Sequence, residues 1–128
     1  MLSLTSSLSY YLYRGYADMR KSFDGLCGVV QNELRRNPMS GEVFIFVGRR
    51  RNTVKLLHWE CGGFVLYYKR LEQGTFEIPV FCPDTSNYQI KWTELMMMIE
   101  GISMKNIKHR KRFIDKGFVN NYVDKNSK

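Results

Sequence analysis

The sequence predicts an α+β domain: an antiparallel β-meander with one long amphipathic helix packed on it and short C-terminal helices. Three observations carry that expectation. Residues 18–36, DMRKSFDGLCGVVQNELRR, place apolar side chains at helical spacing. Residues 42–70 hold three β-rich runs joined by short connections. At 128 residues the chain is about one domain long, and a hydrophobic share of 44% suits a packed core rather than disorder.

In the helical stretch, Met19, Phe23, Leu26, Val30 and Leu34 follow one another at steps of 4, 3, 4 and 4, which stacks them into one stripe. Asp18 is placed to cap its N-terminus. Arg35 and Arg36 suit the negative end of the helix dipole, and Asn37-Pro38 stops it. Gly25 and Gly28 weaken the helix, so packing must hold it. The buried stripe leaves Arg20, Lys21 and Asp24 facing solvent, with Arg20 and Asp24 spaced to pair.

EVFIFVG (42–48), TVKLLHWE (53–60) and FVLYYKR (64–70) read as consecutive strands. Their connections are too short for a parallel crossover, so the pairing is antiparallel. Period two sets Val54, Leu56 and His58 against Lys55, Leu57 and Trp59. Neither face is cleanly polar, so the sheet is covered on both sides or uses one side for binding. For Trp59 a place in the core is favoured over stacking on a base or a partner. One of Tyr67 and Tyr68 is expected to be exposed, as is at least one of Met96, Met97 and Met98.

FEIPV (76–80) reads as an edge strand because Pro79 cannot donate to a ladder. CPDTSNY (82–88) reads as a connector and QIKW (89–92) as a short strand. Thr93 is placed to cap the helix ELMMMIE, which Gly101 ends. A second short helix from Ser103 is expected to carry the basic cluster. Residues 1–118 form the expected domain, and 119–128 a frayed basic tail.

Little in the sequence resembles a catalytic centre. It has two histidines: His58 lies inside a strand, and His109 lies among Lys105, Lys108, Arg110, Lys111 and Arg112. Asp18 and Asp24 do not share a helix face. GLCG lacks the Lys-Ser/Thr of a phosphate-binding loop, and no serine stands in a nucleophile elbow. Cys27, Cys61 and Cys82 form no C-x-x-C pair and supply no recognisable metal set. They read as reduced thiols, small buried hydrophobes in a cytoplasmic protein. The expectation is a non-enzymatic protein without cofactor or metal. No apolar run approaches the ~20 residues needed to cross a bilayer, and the first residues lack a secretory leader's charged region and cleavage site.

The net charge of +8 is uneven. Residues 1–100 hold 12 Lys and Arg against 10 Asp and Glu, whereas residues 101–128 hold 8 against 2. The basic foci are Arg49-Arg50-Arg51, at a hairpin tip, and Lys105, Lys108, Arg110, Lys111 and Arg112. Arginines on a projecting tip can fork onto phosphate oxygens, so these eight residues are the candidate DNA contacts.

The segments DMRKSFDGL, SGEVFIF, RRR, KLLHWE, GGFVLYYKRLEQGTF, WTEL and EGI, followed by a basic run, occur in an order that resembles the TnpB accessory proteins of the insertion sequence 66 family of bacterial transposable elements. The resemblance spans roughly residues 5–112, and Cys61 stands where the family usually has glycine. It implies a protein encoded beside a larger transposase and required with it for transposition. It implies no catalytic residues. Two functions are then open: contact with element DNA, the transposase or both, or a purely protein–protein subunit without DNA contact. Arg20, Lys21 and Asp24 are the candidate transposase surface.

Overall fold

Residues Val43–Gly48, VFIFVG, carry no polar side chain, and they form the middle strand of a five-stranded sheet, with all six residues buried. The structure, a computed structural model, describes residues 3–79 and 88–101. In chain order the elements are β1 (Tyr10–Ala17), α1 (Phe23–Asn32), β2 (Val43–Gly48), β3 (Thr53–Glu60), β4 (Gly63–Arg70), β5 (Gln89–Ile90) and α2 (Trp92–Glu100). The strand order is β4-β3-β2-β1-β5.

The expected meander is present as β2-β3-β4. Its antiparallel pairs run from Val43↔His58 to Val47↔Val54 and from Thr53↔Arg70 to Glu60↔Gly63. The β3–β4 link is only Cys61 and Gly62, with φ of 50° and 81°. Two successive left-handed residues give the hairpin loop a twist that matches its strands. The turn leaves the Cys61 thiol exposed rather than buried as expected.

The sheet is nevertheless mixed, not purely antiparallel. β1, unassigned from sequence, pairs parallel with β2 through Tyr10↔Val43, Tyr11↔Phe44 and Leu12↔Ile45. β5 adds antiparallel to β1's other edge at Tyr10↔Ile90. α1 is therefore part of a crossover between parallel neighbours. The register then slips, from Leu12↔Ile45 to Tyr16↔Val47, so β1 carries two extra residues there. Such a bulge bends a strand and re-aims its side chains.

The two helices cover opposite faces. Leu26 and Val30 of α1, with Leu34 beyond it, pack with Tyr11, Phe44, Phe46 and Leu57. Leu95, Met98 and Ile99 of α2 pack with Leu12, Ile45, Val54 and Leu56, and Phe76 joins them. Of the three consecutive methionines Met98 is buried, whereas Met96 and Met97 are half-buried. Tyr68 is exposed and Tyr67 packs inward. Trp59 is half-buried and lies edge-on to Phe64 at 4.9 Å between ring centres, outside both core clusters. Its core assignment is thereby corrected.

Three further expectations change. The predicted long helix is ten residues, starting after Ser22 rather than at Asp18, so Met19 lies before it and Phe23 is 41% exposed. At its other end Arg35 turns left-handed, φ 57°, and Arg36 N–H reaches Val30 O at 3.1 Å. Residues 76–79 pair with no strand among the described residues; Phe76 is anchored instead by its N–H on Arg51 O at 2.7 Å. α2 begins at Trp92, one residue before the cap expected at Thr93, with Glu94 accepting the Lys91 N–H at 2.8 Å. Gly101 ends it in the left-handed conformation, φ 79°. The helix expected from Ser103, the basic cluster Lys105–Arg112, the tail 119–128 and Cys82 lie outside the described residues.

Cys61 holds a conformation that costs a side-chain-bearing residue about 1 kcal/mol and glycine almost nothing. Cys61→Gly is therefore expected to stabilise the protein by up to about 1 kcal/mol, read as a higher midpoint in urea unfolding, whereas Gly62→Ala at φ 81° lowers it.

Candidate nucleic-acid interface

The site begins with a buried lysine. Lys55 faces α1 with Leu57, and its side chain is only 6% exposed. Its ammonium donates to Met19 O and Lys21 O, each at 2.8 Å, and lies 4.9 Å from the centre of the Tyr68 ring. A buried charge must find polar partners, and here two backbone carbonyls and an aromatic face supply them. Both carbonyls belong to the loop that precedes α1, so the lysine ties that loop to the sheet.

Asp18 shapes the same loop from the solvent side. One carboxylate oxygen accepts the Arg20 backbone N–H at 2.9 Å and Nε at 3.0 Å, while the other accepts Nη2 at 2.8 Å. These hydrogen bonds hold the Asp18 carboxyl far below the usual carboxylate range. Arg20 thus pairs with Asp18, not with Asp24 along a helix as expected. Local side-chain-to-backbone bonding of this kind competes with helix.

The Asp18–Ser22 loop and the β2–β3 turn meet at the C-terminal ends of the parallel strands β1 and β2. Arg51 N–H closes the turn on Gly48 O at 2.9 Å. Behind the tip, Asn52 O and Arg51 O each accept a backbone N–H at 2.7 Å, from Leu71 and Phe76. Between loop and turn opens a cleft of about 650 Å³ bordered by Arg20, Arg49, Arg50 and Arg70, with Asp18 the only carboxylate on its wall among the described residues. Gly48 lines it where Thr53 and Met19 close over the backbone, since a Cβ there would collide with Thr53 Oγ1 and approach Met19 Cγ to 2.9 Å. Arg70 is partly engaged by Glu72 at 3.2 Å, and Arg49 lies 5.9 Å from the Tyr16 ring centre.

The three consecutive arginines do not act as one group. Arg51 is left-handed, φ 59°, and lines a second cleft of about 290 Å³ with Ile78, while Arg49 and Arg50 line the first. Lys21 and Asp24 are exposed but border a separate groove of about 380 Å³ along α1. Of the expected transposase surface, only Arg20 thus shares a cleft with expected DNA contacts. Sequence reasoning missed Lys55, Arg70 and Tyr16. A lone lysine on the Leu57 face of an apolar strand was a readable signal for the first.

At the other end of β1 and β2, Arg36 forks onto Glu42 at 2.9 and 2.7 Å and stacks 4.0 Å from the Tyr11 ring centre, and Ser40 Oγ donates to Glu42 at 2.9 Å. Hydrogen bonds from Arg36 hold the Glu42 carboxyl below its ordinary value despite desolvation. Burial, with the Glu42 charge beside it, raises the Tyr11 phenol. Burial likewise raises the Cys27 thiol. His58 is buried, with Nε2 3.6 Å from Glu60 Oε1. Among the described residues no three His, Cys, Asp or Glu side chains converge as a metal site, and no helix is long and apolar enough to cross a membrane.

Fold and cleft together define a small mixed α+β domain that presents arginines from separate loops to one open hollow. The chain belongs to the family described as IS66 Orf2 like protein, which it matches over residues 8–109. It is thereby an accessory protein of an insertion sequence by family. Two curated relatives, both from Sinorhizobium fredii (strain NBRC 101917 / NGR234), are uncharacterized proteins. It is 29% identical to y4hO over 83% of this chain and 90% of that one. It is 32% identical to y4jC over 48% of this chain and 53% of that one. No solved structure matches the chain.

Two outcomes follow from this geometry. Lys55→Met leaves two carbonyls without their donor, so it is expected to lower stability by about 2 kcal/mol. Faster amide exchange in the Asp18–Ser22 loop checks the cause, with Lys69→Met as the control. Glu42 has a folded pKa below its unfolded value, so its stabilisation is present above the ordinary carboxyl pKa of about 4.3 and is lost as pH falls through the folded value. Thermal melts from about pH 5 to 3 should therefore fall more steeply for the native protein than for Glu42→Gln.

Proposed function

We propose that the protein acts without catalysis in transposition, gripping DNA by its phosphates at the arginine cleft while the transposase of the same element docks nearby. The carrying observation is the convergence of Arg20, Arg49, Arg50 and Arg70, from three separate segments, with one carboxylate on the cleft wall among the described residues. Arginine suits this role because its fork matches phosphate geometry and its charge is constant. Phosphate contacts set position without reading sequence, so binding is expected to be weakly selective and salt-sensitive. The exposed Lys21, just before α1, and Asp24, in its first turn, border a separate groove and suit the transposase.

Titration of a fluorescent duplex at two salt concentrations tests the proposal. The double variant Arg49→Ala, Arg50→Ala is expected to weaken binding and to reduce the slope of log K against log salt by about 1 to 2. Arg51→Ala, directed to the other cleft, should matter less. Absence of binding at ~50 mM salt, where phosphate contacts are strongest, would instead support the purely protein–protein role.

A further inference from the structure

Tyr16 is the unusual residue of this region. The residue is 52% exposed, yet it is not an isolated surface aromatic. It borders both the cleft of Arg49 and Arg50 and the cleft of Arg51, forming the ridge between them. Its position there follows from β1's two extra residues, which shift the register so that Tyr16 pairs with Val47 at the strand's end. The turn opposite divides its arginines to either side of that ridge, because Arg51 is left-handed. Arg49 already lies over the Tyr16 ring at 5.9 Å. The result is an exposed aromatic face with guanidinium groups before and behind it.

We propose that this ridge binds single-stranded DNA, with an unpaired base stacked on Tyr16 and its flanking phosphates held by Arg49 and Arg50 on one side and Arg51 on the other. The proposal rests on the phosphate-contact function above and narrows it to a strand form. Duplex DNA satisfies the arginines equally well but keeps its base faces inside the stack, where Tyr16 cannot reach them. An unpaired nucleotide engages both features at once. Aromatic platforms beside a basic groove are the general means by which proteins hold single strands without reading their sequence. Arg20 adds a reserve of charge, since an incoming phosphate competes with the exposed Asp18 carboxylate for its fork.

The test uses the full chain and fluorescence anisotropy with a labelled oligothymidine and a duplex of the same length. Native protein is expected to bind the single strand more tightly than the duplex. Tyr16→Ala should lower single-strand affinity by about ten-fold, as loss of one stacked base does, and duplex affinity by less than about two-fold. Tyr16→Phe, which keeps the stacking face, should retain single-strand binding. Arg49→Ala with Arg50→Ala should weaken both. Circular-dichroism melts confirm that each variant is folded. Equal losses on both substrates, or undiminished single-strand binding by Tyr16→Ala, would overturn the stacking role while leaving phosphate contact standing. Failure of the native chain to bind either substrate would overturn both.

Discussion

One ammonium group organises the arginine-bearing end of this protein. Lys55 is rooted in the second strand of the meander, and its reach to Met19 O and Lys21 O ties the Asp18–Ser22 loop to the sheet. With no carboxylate partner among the described residues, the charge depends on carbonyl dipoles and the Tyr68 ring, an arrangement that works only if the loop holds one shape. The loop precedes α1 and carries Arg20 to the cleft beside the β2–β3 turn. A glutamate opposite Lys55 would have satisfied the lysine with less demand on the backbone, and the loop would then have been free to wander.

Sequence periodicity was a good guide wherever one face of an element meets a core. Leu26, Val30 and Leu34 are buried as their spacing required, and β2, β3 and β4 follow their β-rich runs. It was a poor guide to β1, where Tyr10, Tyr11 and Leu12 are all buried and no polar alternation marks a strand. Nor does periodicity say which carbonyls a distant lysine will take, so Met19 and Asp18 looked helical. Arg20 and Asp24 had ideal helical spacing and still do not pair, because the helix that would align them is absent at Arg20. The candidate site was half legible: its arginines stand out as a run, but their division into two clefts depends on one backbone angle at Arg51.

The parallel pair β1 and β2 gives the domain two chemically distinct ends. At the N-terminal end of the pair, Arg36 is satisfied by Glu42 and by the Tyr11 ring, so its charge is consumed internally. At the C-terminal end, Arg49, Arg50 and Arg51 have no carboxylate partner among the described residues, and their charge faces outward. The same residue type therefore serves as glue at one end and as an outward field at the other. The difference comes from which neighbours the chain supplies, not from arginine itself.

The threading of β1 between β2 and β5 also sets an order of events. β2, β3 and β4 are joined by tight turns, so they can pair while little chain has been fixed, whereas β1 meets partners that lie far along the sequence. Closing those long loops is entropically slow, and it rewards the chain only once the meander offers an edge. β1 is the first of the described strands, and its long-range pairing is expected to follow the local hairpins. Until it docks, β2 presents a bare apolar edge to any other strand in reach.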